Sequence, residues 1–267
     1  MHMNIKLPES VESQVLDALS VLTHHLKSIQ TIHLFGSALD GELKPLSDID
    51  LLVTVNAPVD ESTRRALMLA LLAISAYPGT DAQRRALEVT IVAKNDIIPW
   101  RYPAMRQMQF GEWLREDIHA GIYEPAMLDY DLAILLTKAR QHSLSLLGPP
   151  AREFFEEVPA SDMQSALLET LALWKTEDDW KGDERNIVLA LVRIWYTSMT
   201  GQITSKDAAA NWAIQHLPSS TQNIVIAARD EYLGLNAADL AAYPKERAEL
   251  LHQIRSSVAA QQRLKQE

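Results

Sequence analysis

The stretch that decides the fold runs from Phe35-Gly36-Ser37-Ala38-Leu39-Asp40-Gly41 to Ser47-Asp48-Ile49-Asp50-Leu51. β-Branched and aromatic residues at positions 32–35 predict a strand that ends at Gly36, and the apolar run at 49–55 predicts a second strand. A strand that leads into a Gly-Ser turn lets backbone N–H groups approach a phosphate, because glycine has no Cβ to obstruct them. The Ser37 hydroxyl can donate to a phosphate oxygen. The turn therefore predicts a triphosphate site.

Two carboxylates follow the turn at a spacing that suits a divalent cation. Asp48 and Asp50 are two positions apart on the predicted strand, so their side chains lie on one face. Hard oxygen ligands beside phosphates favour Mg²⁺. A Gly-Ser pair alone is commonly a turn, and Asp-x-Asp alone is commonly a solvated strand end. Their combination is typical of the nucleotidyltransferase fold of the DNA polymerase β type.

The chemistry calls for a third carboxylate, and Glu88 is the candidate. Residues 87–92 predict a third strand, in which alternation places Glu88 on the face opposite Leu87, Val89 and Ile91. A solvent-facing position on a half-exposed strand is the alternative interpretation. If this strand lies beside the strand that carries Asp50, Glu88 reaches the metal ions and can accept a proton from an attacking hydroxyl.

Periodicity divides the chain into a front part with strands and a back part that is helical, with the change near Pro159. We therefore predict an α+β fold with a nucleotidyltransferase domain of mixed sheet and helices at 1–158 and an α-helical bundle domain at 159–267. In the front part, helices are predicted at 11–26, at 60–75 and after a capping Asp131, with short strands near Ile97 and at 111–114. Helices in the back part are predicted at 161–176, 183–200, 205–216, 219–232 and 244–264, with N-caps at Ser161 and Ser205.

Composition excludes several classes of protein. The 267 residues hold 35 acidic and 25 basic side chains, and a formal charge of −10 disfavours a protein that neutralises nucleic-acid phosphates. The absence of Cys removes disulfides, thiolate zinc sites and thiol nucleophiles. No apolar run is long enough for a membrane span, and residues 1–9 lack the pattern of a signal peptide. We expect a cytoplasmic monomer with no nucleic-acid or membrane partner.

The chain resembles the aminoglycoside 3″-adenylyltransferases, the streptomycin and spectinomycin resistance enzymes, over essentially its whole length. The resemblance rests on seven stretches, which are residues 34–38, 46–53, 87–90, 110–114, 131–148, 174–176 and 184–193.

The resemblance implies AMP transfer from ATP to a hydroxyl at position 3″ of streptomycin or position 9 of spectinomycin, in a cleft that the helical domain completes. It implies two Mg²⁺ ions on Asp48, Asp50 and Glu88, with Glu88 also acting as the general base. It further implies that Gly36, Ser37, Arg193, Lys206 and Tyr232 contact ATP.

An acidic segment supports a cationic drug as the acceptor, independently of the resemblance. Residues 177–184 hold five carboxylates and one Lys, and streptomycin carries two guanidinium groups and an amine that carboxylates can pair with. In an anonymous protein such a run is usually a solvated loop. The resemblance implies that Trp113, Asp183 and Asn186 contact the drug, and that Trp174 and Asp179 favour streptomycin.

Two alternatives to this function remain open from the sequence. A nucleotidyltransferase with the same motif could modify a protein side chain or an RNA end, although the acidic balance disfavours RNA. A nucleotide-binding module without catalysis is the other alternative, and a missing carboxylate would favour it. All three carboxylates are present in this chain.

Overall fold

The computed structural model describes residue 7, residues 9–39, residue 44 and residues 47–264. Asp40, Gly41 and Leu46, which belong to the motifs quoted above, lie outside the described residues. The chain divides into two compact units, Met1–Val158 and Pro159–Glu267. No helix in the described part of the chain is long and apolar enough to cross a membrane.

The first unit combines strands and helices. In chain order its described elements are α1 (Glu9–His25), β1 (Ile29–Phe35), β2 (Ile49–Val55), α2 (Glu61–Ile74), β3 (Leu87–Ala93), α3 (Lys94–Ile97), β4 (Ala104–Arg106), β5 (Met108–Phe110), α4 (Arg115–His119), β6 (Met127–Asp129), α5 (Leu132–Gln141), β7 (Ser143–Leu147) and α6 (Ala151–Phe154). Single 3₁₀ turns at Gly36–Ala38 and Glu112–Leu114 follow β1 and β5.

The main sheet of the first unit has the strand order β5-β3-β2-β1-β7. β2 and β3 are parallel, whereas β1 pairs antiparallel with β2 and β7, and β5 pairs antiparallel with β3. The sheet is therefore mixed, and the predicted α+β fold class is confirmed. β4 and β6 form a separate two-stranded ribbon.

One face of the sheet is covered by α1 and α2. Val15 and Leu22 of α1 and Leu67 of α2 are buried in one cluster with Leu51 of β2 and Val89 of β3. Each such side chain contributes about 1.5–3 kcal/mol when it is fully buried. Strands that are fixed on one face by this cluster present their alternate residues in a fixed row on the other face.

Side-chain hydrogen bonds fix both ends of the connection between β2 and β3, which includes α2. The Asp60 carboxylate accepts a hydrogen bond from the Thr63 backbone N–H at 2.9 Å, which starts α2 as the acidic first turn predicts. At the other end of the connection, the Gln14 side chain of α1 bonds both N–H and C=O of Arg85. These bonds anchor the chain two residues before β3 begins.

The second unit is helical throughout its described part. Its helices are α7 (Ala160–Leu171), α8 (Glu184–Thr200), α9 (Lys206–His216), α10 (Ser219–Tyr232) and α11 (Pro244–Leu264), with 3₁₀ turns at Glu177–Trp180 and Leu240–Ala242. Ser205 caps α9 as predicted, since its Oγ accepts from the Ala208 N–H at 3.3 Å. Gly201 ends α8 with φ +73°, a conformation that favours glycine.

Five details of the predicted local structure are wrong, which are two short strands, the cap and the end of the helix predicted at 161–176, and the capping bond of Asp131. The segment near Ile97 is helical and 112–114 is a 3₁₀ turn, whereas the short strands lie at 104–106 and 108–110. Ser161 lies inside α7, whose N-cap is Pro159, and α7 ends at Leu171 rather than at Thr176. Asp131 precedes α5 but makes no capping hydrogen bond. Instead Asp129 accepts from the Asp131 N–H at 2.9 Å and from the Arg106 guanidinium at 2.6 Å.

Candidate active site

Three neighbouring strands place the central side chains of the site in one row. In the antiparallel pair, Phe35 of β1 lies opposite Asp50 of β2, and in the parallel pair Asp50 lies opposite Glu88 of β3. Residues paired in register share a face of the sheet. Leu51 and Val89 point into the α1–α2 cluster, so Asp50 and Glu88 point away from it, as alternation predicted. The condition set from the sequence, that the strand of Glu88 lies beside the strand of Asp50, is therefore met.

Gly36 makes room for the Asp50 carboxylate. Its φ is +79°, and a methyl group added at its Cα would overlap Asp50 Oδ2. Glycine is therefore required twice, by backbone conformation and by space. Ser37 follows in the 3₁₀ turn and is partly exposed, so its hydroxyl is available to a ligand.

The chain enters β2 through a segment held by Arg85. The guanidinium Nη1 of Arg85 donates to the backbone oxygens of Lys44 at 2.9 Å and Ser47 at 3.1 Å. This arrangement places Asp48, which is half-buried, immediately before the strand. The Ser47 hydroxyl is buried and has no hydrogen-bond partner among the residues that the structure describes. A buried hydroxyl of this kind is a group that a ligand can satisfy.

Burial and neighbouring charge act together on Glu88. Desolvation, followed by the negative charge of Asp50, raises the pKa of Glu88 to about 8. The negative charges of Asp48 and Asp131 contribute to this rise, and the ammonium of Lys138 partly offsets it. Gln109 of β5 donates to Glu88 Oε1 at 3.4 Å. A carboxyl group whose pKa lies near neutrality is the kind that acid–base catalysis uses.

The carboxylates fit a metal that arrives with phosphate oxygens. Among the residues described, no three acidic or histidine side chains converge closely enough to hold a metal ion by themselves. Mg²⁺ is usually bound through one or two carboxylates and the phosphates of its substrate rather than by an all-protein cage. Asp48, Asp50 and Glu88 supply hard oxygen donors beside the Gly36 turn, so the donor set fits Mg²⁺ in complex with a triphosphate.

Two groups near this row were not assigned to it from the sequence. Lys138 of α5 places its Nζ 4.0 Å from Asp50 Oδ2, and Asp131 is close enough to raise the pKa of Glu88. The sequence treats Asp131 only as a capping residue. No local pattern marks Lys138, because a lysine in the last turn of a helix is common.

The helical unit brings together two of the residues implied to contact ATP. Lys206 begins α9, and its Nζ lies 5.4 Å from the centroid of the Tyr232 ring at the end of α10. Tyr232 is buried, and the face of its ring attracts the Lys206 ammonium. Arg193 is half-buried on α8.

The acidic segment 177–184 is an ordered turn. Asp179 Oδ2 accepts from the backbone N–H groups of Thr176 at 2.7 Å and Lys175 at 2.8 Å, and these bonds hold the pKa of Asp179 below its usual range. Trp180 is buried beneath the Arg247 guanidinium, which also pairs with Glu184 at 3.5 Å. The turn is thus fixed to the helical unit at both ends.

A polar pocket of about 300 Å³ opens beside this turn. Asp183 and Asn186 line it, and Asn186 Nδ2 donates to Asp183 Oδ1 at 2.7 Å. Glu184, Glu231 and Asp239 line it as well, together with Arg185, which pairs with Glu231 at 3.4 Å. The lining therefore has a net negative charge, which suits a cationic ligand.

The two tryptophans implied to contact the drug lie in different units. Trp113 is 58% exposed, and its ring covers Gly111 so closely that a methyl group there would overlap it. Trp174 is partly exposed, and its backbone oxygen accepts from Arg255 at 2.7 Å. An aromatic ring that is exposed on a fixed backbone is suited to stack on a ligand.

Comparisons with known proteins identify the family of the chain. A model of the nucleotidyltransferase domain matches residues 16–117, and a model of the aminoglycoside adenylyltransferase C-terminal domain matches 153–257. The aminoglycoside (3″)(9) adenylyltransferase of Escherichia coli is 53% identical over 249 residues, which cover 93% of this chain and 95% of that protein. The chain belongs to the aminoglycoside adenylyltransferase family.

Two further relatives have a lower sequence identity to the chain. The spectinomycin 9-adenylyltransferase of Campylobacter jejuni is 35% identical and covers 96% of this chain and 97% of its own length. The crystal structure of a spectinomycin adenyltransferase from Enterococcus faecialis with ATP and spectinomycin has a TM-score of 0.84 at 28% identity, covering 93% of this chain and 99% of that one.

The candidate residues are distributed over both family domains. The segment that matches the nucleotidyltransferase domain contains Gly36, Ser37, Asp48, Asp50, Glu88 and Trp113. The segment that matches the adenylyltransferase C-terminal domain contains Trp174, Asp179, Asp183, Asn186, Arg193, Lys206 and Tyr232. Lys138 lies between the two matched segments.

Proposed function

We propose that this adenylyltransferase moves AMP from Mg-ATP to the 3″ hydroxyl of streptomycin and to the 9 hydroxyl of spectinomycin, and thereby confers resistance to both. The observation that carries the proposal is the row of Asp50 and Glu88 beside the Gly36 turn. The names of the relatives, which include both (3″)(9) and 9-adenylyltransferases, support the choice of acceptors.

In the proposed reaction the drug oxygen attacks the α-phosphorus of ATP. A bond forms between that oxygen and the phosphorus, the bond to the bridging oxygen of the β-phosphate breaks, and pyrophosphate leaves. Asp48 and Asp50 would hold Mg²⁺, which offsets the negative charge of the triphosphate and of the nearby carboxylates. The Gly36 N–H region and the Ser37 hydroxyl would position the phosphates.

Glu88 is proposed as the group that accepts the hydroxyl proton and as a further metal ligand. Its raised pKa in the protein without metal means that a proton occupies it at neutral pH. A positive charge held by Asp50 favours the ionised carboxylate, because opposite charge nearby stabilises that form. Glu88 would thus become a base when the nucleotide complex is in place.

The helical unit is proposed to bind both substrates. Arg193 and Lys206 would neutralise phosphate charge, with the Tyr232 ring holding the Lys206 ammonium near the nucleotide. Asp183, Asn186 and Trp113 would contact either drug, while Trp174 and Asp179 would contact the larger streptomycin. The acidic lining of the pocket beside Asp183 supports this assignment.

Pyrophosphate release from Mg-ATP tests the proposal, with streptomycin, spectinomycin and kanamycin offered separately. We expect release with the first two only, and loss of at least about 100-fold in kcat for Glu88→Gln with the affinity for Mg-ATP retained. Release that is undiminished in Glu88→Gln would remove Glu88 as the base. If protein that binds Mg-ATP releases no pyrophosphate with any of the three drugs, the acceptor is to be sought among proteins or RNA.

A further inference from the structure

Lys138 stands where the proposed metal ligand and the proposed phosphate turn meet. Its Nζ lies 4.0 Å from Asp50 Oδ2 and 4.9 Å from the centroid of the Phe35 ring. The same nitrogen is 3.3 Å from the position that a Cβ on Gly36 would occupy. One ammonium therefore lies close to Asp50, Phe35 and Gly36 together.

The surroundings hold the lysine in this place. Buried Leu135, Leu136 and Ala139 anchor α5. The Lys138 backbone oxygen accepts a hydrogen bond from the His142 N–H at 2.9 Å at the end of this helix. The buried Phe35 ring attracts the ammonium over its face. The side chain of Lys138 is 26% exposed and that of Asp50 is 14% exposed, so water screens their attraction only partly.

In the protein without metal, the Lys138 ammonium offsets the negative charges grouped around Glu88. Asp50, Asp48 and Asp131 act on Glu88 as negative charges, and Lys138 is the cation that acts on it among the described groups. Carboxylates that are grouped in this way need a positive charge nearby. Lys138 supplies it on the Asp50 side of the row.

We propose that Lys138 is a positioning residue that holds the Asp50 carboxylate when no divalent cation is bound, and that it competes with that cation for Asp50. The inference rests on the proposed function, because it takes Asp50 as a metal ligand. A cation at 4.0 Å from Oδ2 must separate from the carboxylate, or be repelled, when a doubly charged ion binds the same oxygen. Lys138 would thereby weaken metal binding in the absence of nucleotide.

The affinity for Mn²⁺ without nucleotide tests this competition. Free Mn²⁺ is measured by electron paramagnetic resonance in titrations of the full-length wild type, Lys138→Met, Lys138→Gln and Lys138→Arg. We expect Mn²⁺ to bind about fivefold more tightly to the Met and Gln variants and with near wild-type affinity to the Arg variant, which keeps the charge. A merely structural role would weaken metal binding on substitution rather than tighten it.

Lys94→Met is the matched control, because Lys94 also places its ammonium over an aromatic ring of the first unit, 5.8 Å from the centroid of Phe154. We expect no change in Mn²⁺ affinity for this variant. Unchanged or weaker binding in both Lys138→Met and Lys138→Gln would overturn the inference. Asp50→Asn distinguishes failure of this inference from failure of the proposed function. If Asp50→Asn binds Mn²⁺ as tightly as the wild type does, Asp50 is not a metal ligand.

Discussion

At the scale of single residues, Gly36 is the position where the backbone and the site impose the same requirement. We expect Gly36→Ala to lower kcat/KM by at least about 100-fold, because a methyl group would displace the Asp50 carboxylate from the row. The positive φ of +79° adds a destabilisation of about 1–2 kcal/mol. Pyrophosphate release and thermal denaturation measure the two effects.

Gly201→Ala separates strain from the loss of the site. Gly201 has a similar φ of +73°, and a methyl group there would meet open space. We expect this control to lose comparable stability while retaining kcat/KM. Equal loss of activity in the two variants would mean that backbone strain, rather than contact with Asp50, explains the requirement for Gly36.

Glu88 should make the stability of the protein depend on pH when metal is absent. Its pKa of about 8 in the folded state exceeds the ordinary value of 4.5, so the folded state retains a proton that the unfolded chain releases. The free energy of unfolding therefore falls as pH rises from about 4.5 to about 8. Glutamine cannot ionise, so Glu88→Gln should remove this part of the pH dependence.

Thermal denaturation in EDTA at pH 5 and pH 8.5 measures the effect. We expect Glu88→Gln to be stabilised at pH 8.5 by about 2 kcal/mol, or about 5 °C in Tm, and by much less at pH 5. Glu12→Gln on the exposed side of α1 is the control and should leave Tm unchanged at both pH values. A gain for Glu88→Gln that is equal at the two pH values would contradict the proposed burial of a protonated carboxyl group.

The sequence alone identifies site residues that interrupt a local pattern. Asp50 and Glu88 stand out because a charge interrupts an apolar strand, and strand pairing then brings them together. Lys138 approaches Asp50 only through the packing of α5 against the sheet, which involves residues nearly ninety positions apart. Such a contact leaves no periodic signal in a single sequence.

At the scale of elements, length and burial decide which strands are predictable. β1, β2 and β3 have seven residues each and long buried runs, and all three are predicted. β4 and β5 have only three residues each, and β7 is half-buried along its whole length, so their apolar signal is weak. α7 begins at a proline cap rather than at Ser161, since proline is preorganised for a helix start.

The turn at Glu177–Trp180 carries a prediction about drug preference. Asp179 serves as the capping partner of Thr176, and it is also the proposed streptomycin contact. We expect Asp179→Ala to lower kcat/KM by about tenfold for streptomycin and by less for spectinomycin, because only the larger drug would use this carboxylate. Steady-state kinetics with both drugs measure the difference.

Thr176→Val isolates the structural part of this effect. It removes the hydroxyl that bonds Asp179 Oδ2 at 3.1 Å but leaves the carboxylate in place. We expect both drugs to be affected alike and only slightly. If Thr176→Val reproduces the streptomycin preference of Asp179→Ala, the turn rather than the charge of Asp179 determines that preference.

At the scale of the whole molecule, the proposed ATP ligands are divided between two units. Ser37, Asp48 and Asp50 belong to the first unit, and Arg193 and Lys206 belong to the second. The net charge of −10 opposes a triphosphate at long range, so local cations must overcome it. Binding energy for the nucleotide is therefore expected from both units.

Lys206→Met tests whether the helical unit contributes to ATP binding. We expect its KM for Mg-ATP to rise about tenfold while the KM for spectinomycin stays within about twofold, because an ammonium that pairs with phosphate contributes about 1.5 kcal/mol. The lysine contacts the Tyr232 ring at 5.4 Å, and losing that contact at a partly exposed site costs at most about 1 kcal/mol of stability. Lys245→Met, at an exposed lysine of the same unit, should leave both KM values unchanged. A wild-type KM for Mg-ATP in Lys206→Met would confine the nucleotide ligands to the first unit and to Arg193, whereas equal increases in both variants would assign the effect to net charge.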